Sequence, residues 1–447
     1  MMITTAVMVA ALVAPGAAVV EAQEEVRVHT GVIDGAQYRV EVPSKWNGKV
    51  LIYSHGIYPN GYIPEQIELT NRVEAKPVLL ERGYALAASL YSKPHGLSVR
   101  EAVHDQGALL TWFTRNVGQP RQVLAWGASG GGLNSVVLGE KDRRVDGVLA
   151  MCGPVAGGTA LFNQFLDIGF TVRTLLAPEL EIVRIANPAA NLTKAHEVVD
   201  AALVTASGRA RLALANSFAS VPGWSRTHQP RSTDVAEQIR QQTRFVAGVY
   251  DDLIWGDLRS DVEITAGGNP SWNIGVDYGR VLSRASERNL VEQAYREAGM
   301  SLAADLDKLA AAPRIAPDWR AVETLTRLGT PMGRGKAPVV TLHPVGDGVA
   351  PEHERTYGAR VDSSRIRQLY VNRGGHCMHS AAEELTALGV LEHKVNTGRW
   401  PDASPEALNV TAGRYGPQFG GLFDWLHNEF GVVQPAFVRF QPAYLPR

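Results

Sequence analysis

The sequence predicts an α/β fold, a mostly parallel central sheet flanked by helices and carrying a large, mainly helical lid insertion. Three observations point there. Short apolar strands alternate with helical stretches toward both ends of the chain, the pattern of a parallel sheet with right-handed crossovers. Between Cys152 and Ala337 the strand signal stops for roughly 180 residues, far beyond the length of a loop, so the gap must hold structure of its own. The stretch VLAWGASGGGLNSVVLGEK, residues 123–141, reads as a buried strand, a turn and a helix, with Ser129 at the turn.

VRVHTGV and AQYRVEV alternate as antiparallel edge strands do, and PSKWNG supplies a turn after them. KVLIYS is a buried strand running into a glycine-containing loop at His55 and Gly56. A helical stretch closing at LLERG leads to strand YALAASL, and a helix from about Val99 to Arg115 leads to the Ser129 strand. GVLAMC, APVVTLH and RIRQLYVN are the strands that follow. Inside the insertion Leu161, Phe165, Ile168, Val172 and Leu175 recur at helical spacing, as do apolar positions over 288–311. Stripes of this kind are packing surfaces, here the inside of a lid resting on the C-terminal edge of the sheet. The tail beyond Gly413 adds FGGLFDWLHNEF, read as a helix, and a proline-rich end. The expected division is a leader at 1–22, a sheet domain from 23–152 and 337–447, and the lid at 153–336.

With 447 residues, 20% charged and a formal net charge of −1, the chain has no basic stretch fit for nucleic acid or an anionic membrane. Residues 3–20 are apolar and rich in alanine, and a small-x-small pattern ends at Ala22, so a cleaved secretory signal and an exported protein are expected. The first basic residue is Arg27, and Pro15 and Gly16 interrupt any spanning helix. Asn191-Leu192-Thr193 and Asn409-Val410-Thr411 are glycosylation sequons. Scattered histidines, with no H-E-x-x-H and no clustered Cys/His spacing, give no metal site, and no cofactor is expected.

Gly127-x-Ser129-x-Gly131 is the layout of a nucleophile elbow, in which the serine sits on a strained strand-to-helix turn and glycines allow close backbone approach. A serine hydroxyl needs a base and an acid to orient that base. Catalytic groups of parallel sheets gather at strand C-terminal ends. There Asp347 follows VVTLH in PVGDGVAP, and His376 follows RQLYVN in RGGHCMHS. His376 is the expected base and Asp347 its acid. Glu352 stands too deep in the next helix, and Asp251 and Asp252 belong to the lid. His379, about one helical turn past His376, reads as packing or as support behind the base, and His343 as buried at a strand end. The backbone N–H of Gly130, next after the nucleophile, is one expected oxyanion donor.

The order Ser129, Asp347, His376 on successive strand ends resembles the α/β-hydrolase fold over roughly residues 25–152 and 337–430. The resemblance implies a second oxyanion donor in the loop after the His55-Gly56 pair, Ile57, with His55 serving the loop and Tyr58 offering a hydroxyl. The opening EVPSKWNGKVLIYSHG and the large lid are similar to secreted tannases and feruloyl esterases, in which a cystine lies beside the triad with its first cysteine just before the nucleophile; here that position is Ala128. Cys152 and Cys377, the two cysteines of the chain, fall at the same sheet edge and are expected to be bridged, two buried thiols being the alternative. The expected activity is that of an exported serine esterase working on a small-molecule or polymer-end ester. A peptidase of the prolyl oligopeptidase or tripeptidyl type is the alternative, with Asp251, Asp252 or Asp257 as anchor for a free amine. A non-catalytic binding protein on the same fold is the other.

Overall fold

The computed structural model describes residues 25–59 and 61–447. The expected leader at 1–22, with its cleavage near Ala22, lies outside the described residues. Strands β1 (Val26–Ile33) and β2 (Ala36–Pro43) form an antiparallel hairpin. Its turn residues Asp34 and Gly35 both have positive φ, 49° and 86°, as a two-residue turn matching strand twist requires. Next come β3 (Lys49–Ser54), helix α1 (Ala75–Glu81), β4 (Ala85–Ser89), α2 (Val99–Asn116), β5 (Gln122–Ala128), α3 (Gly130–Lys141) and β6 (Gly147–Met151). After a long interval follow β7 (Val339–Gly346) and β8 (Ile366–Gly374).

These strands assemble in the order β1-β2-β4-β3-β5-β6-β7-β8, and a two-residue strand, Phe437–Val438, closes the far edge. From β4 to β8 every pairing is parallel; β2 and the closing strand pair antiparallel with their neighbours. This is the α/β-hydrolase fold. Strands buried on both faces are continuously apolar, and successive side chains serve opposite layers. In β5, Leu124 and Trp126 join Leu51, Leu149 and Leu342 on one side, whereas Val123 and Ala125 join Val50, Phe113 and Val148 on the other.

Between β6 and β7 the chain forms helices and no strand. They are α4 (Gly158–Leu175), α5 (Pro188–Leu203), α6 (Ala206–Ser217), α7 (Val235–Phe245), a π-helical turn (Val246–Tyr250), α8 (Asp251–Trp255), α9 (Asp257–Ala266) and four more at Tyr278–Arg284, Arg288–Glu297, Leu302–Ala311 and Trp319–Gly329. Their core of Phe162, Phe170, Phe218 and Trp255 is continuous with Val99 of α2 and with Leu133 and Val137 of α3. The helices therefore sit on the sheet domain through a shared apolar layer.

FGGLFDWLHNEF is not a helix. Its residues form a β-hairpin, β9 (Gly421–Asp424) and β10 (Glu429–Val432), with Phe430 opposite Phe423 and Asn428 at φ 53° in the turn. A period-2 register wins because the left-handed Asn428 reverses the chain and Asp424 binds the turn, accepting from the His427 N–H and facing its ring. The proline-rich end then returns along β8 to the inserted helices, where the Arg447 guanidinium meets the buried Asp167 of α4 at 2.7 Å. Both sequon asparagines are engaged by backbone: Asn191 with Glu181 and Trp255, Asn409 with Phe437.

Candidate active site

β5 ends at Ala128 and α3 starts at Gly130, leaving Ser129 between them at φ 57°, ψ −128°. A non-glycine residue in that region costs about 1–3 kcal/mol and persists only where its surroundings enforce it. Here the Ser129 N–H donates to Met151 O and the Ser129 carbonyl accepts from the Gly132 N–H, each at 2.9 Å. Gly131 packs so tightly on the carbonyls of Ser54 and His55 that a Cβ would collide with them. The elbow is thereby seated on the end of β3.

Three side chains from the loops after β5, β7 and β8 meet in a line. Ser129 Oγ lies 2.8 Å from His376 Nε2, and His376 Nδ1 lies 2.8 Å from Asp347 Oδ1. The carboxylate is fully buried and saturated with donors, since Oδ1 also accepts from the Val349 N–H and Oδ2 from the Cys377 N–H, each at 2.8 Å. A carboxylate facing Nδ1 assigns the proton to that nitrogen, which leaves the Nε2 lone pair for the serine hydroxyl. Below it, His343 contacts Glu354 Oε1 at 2.9 Å and Val349 O at 2.6 Å, with Asp347 Oδ2 at 3.9 Å. Burial opposes charging that ring, but Glu354, Asp347 and the Val349 carbonyl outweigh it and raise its pKa. His343 is thus a buried strand-end residue supporting the acid.

Cys152 and Cys377 are joined in a disulfide, their Cα atoms 5.2 Å apart. The bridge links the end of β6, directly under Ser129, to the residue following His376. Arg72 clamps the same loop from outside, donating to Cys377 O at 2.6 Å and His379 O at 3.0 Å. Nothing in the sequence around Arg72 signals this role, because its partners are backbone carbonyls some 300 positions away. His379 is buried against Glu384 at 2.9 Å, with Cys152 Sγ at 3.4 Å. Cys152, Cys377 and His379 cluster closely enough to suggest an ion, but the bridge consumes both sulfurs.

The backbone at Gly56 and Ile57 packs against the elbow: a Cβ added to Gly130 would stand 3.3 Å from Ile57 N, and one added to Gly56 would stand 3.2 Å from Ser129 Cβ. The His55 ring lies between Tyr58 and Tyr91, at centroid distances of 4.2 and 4.0 Å, and its Nδ1 meets Gly56 O at 2.7 Å. Burial lowers the His55 pKa to about 4, so the ring is neutral at ordinary pH. In a trans peptide the C=O and N–H point in opposite directions. Holding the Gly56 carbonyl therefore turns the Ile57 N–H away from the ring. The Tyr58 hydroxyl is committed to Glu68 Oε2 at 2.9 Å.

Comparison with known proteins adds one full-length relative. The o-phthalyl amidase of Xanthobacter agilis is 27% identical over 419 residues, covering 85% of this chain and 89% of that protein. No family model matches the chain. Among solved structures, puromycin hydrolase is 12% identical at a TM-score of 0.38, covering 84% of this chain, which spans 40% of that protein's length. A Pyrococcus furiosus esterase is 9% identical at a TM-score of 0.35, covering 84% of this chain and 92% of its own. Scores this low carry no argument about the site.

Above Ser129 and His376 opens a cavity of about 320 Å³ walled by the inserted helices and the loops at the sheet edge together. Ile57, Leu161, Phe165, Leu258 and Val349 make it apolar, so part of the helical stripe taken as packing faces the cavity instead. Trp425, from the tip of the β9–β10 hairpin, and Tyr250, from the π-helical turn, complete the wall. Periodicity offers no means of finding them, since one sits in a turn and the other at a helix irregularity. Asp251 and Asp252 also line the cavity, while Asp257 is exposed. Asp252 Oδ1 accepts the Leu258 N–H at 3.2 Å in the first turn of α9, as a helix-capping carboxylate does. Glu352 is buried outside the relay, and burial raises its pKa to about 7.

Proposed function

We propose that this chain is a serine hydrolase cleaving carboxylic esters through an acyl-enzyme intermediate. The supporting observation is the continuous hydrogen-bonded relay from Ser129 through His376 to Asp347, opening into an apolar cavity. His376 Nε2 removes the hydroxyl proton as Ser129 Oγ attacks the carbonyl carbon, and Asp347 stabilises the imidazolium. Charge developing on the carbonyl oxygen is received by the N–H groups of Gly130 and Ile57. Collapse expels the alcohol, which takes the proton from His376. Water, activated by the same imidazole, then attacks the acyl carbon and releases the acid.

The Xanthobacter agilis relative favours a second reading in which the scissile bond is an amide. The relay serves either bond, since the leaving nitrogen of an amide takes its proton from the same Nε2. An acyl group bearing a free carboxylate finds no Lys or Arg among the described cavity residues. The apolar run at residues 3–20 and the bridged cysteines support an exported protein. No helix of the described residues is long and apolar enough to cross a membrane.

The test is hydrolysis of p-nitrophenyl butyrate, the matching p-nitroanilide and an N-phthalyl amide by the purified chain and by Ser129→Ala. Turnover of the ester, lost in the variant, is expected. Faster cleavage of either amide at equal concentration favours the second reading, and no turnover of any substrate overturns both.

A further inference from the structure

Taking Ser129 and His376 as the reacting pair, we infer that the substrate carries a positive charge, a protonated amine or quaternary ammonium, received by Asp252 among the aromatic rings of the cavity. The walls hold one kind of charge only. Asp251 and Asp252 both line the cavity, and no Lys or Arg does so among the described residues. The two aspartates differ in how they are satisfied. His196 Nε2 meets Asp251 Oδ2 at 2.7 Å, and Asp251 Oδ1 accepts the Asp252 N–H at 2.9 Å. Asp252 is bonded only by backbone N–H groups at the start of α9, and no described cationic side chain pairs with it.

A half-buried carboxylate without a counter-ion is costly unless something supplies the missing charge. Burial, with the nearby charges of Asp257 and Asp251, holds the Asp252 carboxyl above its ordinary range. An arriving cation reverses that penalty. The rest of the wall suits an organic cation rather than a metal ion. Phe165, Tyr250 and Trp425 line the same space, with Phe165 and Tyr250 at a centroid distance of 4.6 Å. Aromatic rings and a carboxylate lining one cavity suit an alkylammonium group, which the ring quadrupole and the opposite charge both attract. The local backbone is built to place them: the π-helical turn Val246–Tyr250 runs directly into Asp251, bringing Gly248, Val249, Tyr250 and both aspartates onto the cavity wall. Such insertions into a helix recur at functional sites.

The experiment compares isosteric substrates that differ in charge. Butyrylcholine and 3,3-dimethylbutyl butyrate vary the leaving group; p-nitrophenyl 4-(trimethylammonio)butyrate and p-nitrophenyl 5,5-dimethylhexanoate vary the acyl group. In at least one pair the cationic member should be preferred in kcat/KM by roughly tenfold or more at low salt. Asp252→Asn retains the acceptor for the Leu258 N–H and removes the charge. In that variant the preference should fall toward 1, through KM, whatever the change in absolute rates. A wild-type ratio near or below 1 in both pairs, or a ratio unaltered by Asp252→Asn, overturns the inference while leaving the hydrolase reading intact. Calorimetry with phenyltrimethylammonium reads the same site without turnover: binding by the wild type, weakened about tenfold in Asp252→Asn and in Trp425→Leu, supports the inference even where no ester is cleaved. Absence of binding to the wild type counts against it.

Discussion

The backbone N–H of Cys377 donates to Oδ2 of Asp347 at 2.8 Å, so the residue after the imidazole holds the carboxylate that orients the imidazole. Cys377 is in turn bridged to Cys152, whose Sγ lies 3.4 Å from the Ser129 N–H. One covalent link therefore touches the surroundings of all three relay members. Reducing it, or replacing both cysteines by alanine, should lower stability by about 2–5 kcal/mol, because 225 residues separate the pair and the unfolded chain gains much freedom. It should also reduce kcat more than it raises KM. Thermal melts and ester kinetics with and without a mild reductant check both, and unchanged kcat would separate the bridge from the relay.

Substitutions along the relay should be severe and non-additive. Ser129→Ala and His376→Ala should each lower kcat by about 10⁴–10⁶. Asp347→Asn keeps the shape but presents an amide to Nδ1, favouring the wrong tautomer, and should cost about 10⁴. The double variant Ser129→Ala, Asp347→Asn should be little worse than Ser129→Ala alone. Summed losses would show that the residues do not act as one unit.

In the proposed mechanism His55 would act on the oxyanion through Gly56, whose carbonyl it meets at 2.7 Å. In His55→Leu the Gly56 carbonyl loses its partner while most of the packing between Tyr58 and Tyr91 is kept, so kcat should fall by about 10–10² with KM nearly constant. His55→Gln, which restores a donor, should recover part of the loss. Equal losses in the two variants, with matching falls in melting temperature, would mark His55 as packing alone.

Stability should decline on the acid side. His55 and His353 are buried and neutral, their pKa values lowered by burial to about 4 and about 3. Between those values and the ordinary 6.5 the unfolded chain binds the extra protons, so stability falls as pH falls from 6.5 toward 4. For His55 alone the loss approaches ~3 kcal/mol. Glu352, raised from 4.5 to about 7, opposes this in part: below 7 its carboxyl is protonated in the fold, and its contribution is lost as pH rises from 4.5 to 7. Melting temperature should therefore be highest near pH 6.5–7, and His353→Gln should flatten the acid slope. A profile flat from pH 7 to 4.5 would contradict the burial of these rings as neutral species.

The sheet was legible because its strands are buried on both faces, and runs such as Val123–Trp126 carry no competing helical period. The elbow was legible from its glycines, whose close approach to β3 leaves no room for a side chain. FGGLFDWLHNEF misled because Leu422, Phe423 and Leu426 fit a helical spacing as well as a strand, and the short run lets the left-handed Asn428 decide. The cavity wall was illegible for a different reason. Leu161 and Phe165 look like any packing stripe, and Arg72, Tyr250 and Trp425 owe their places to long-range folding rather than to local pattern.

The central claim is that Ser129 is a nucleophile activated by His376. It is tested most directly by incubating the purified chain with a fluorophosphonate and mapping the adduct by mass spectrometry. The account predicts one phosphonyl group, on the peptide containing Ser129, formed at a rate that collapses in His376→Ala and absent in Ser129→Ala. An unlabelled chain, or labelling of another serine at an equal rate in the Ser129→Ala variant, would contradict it.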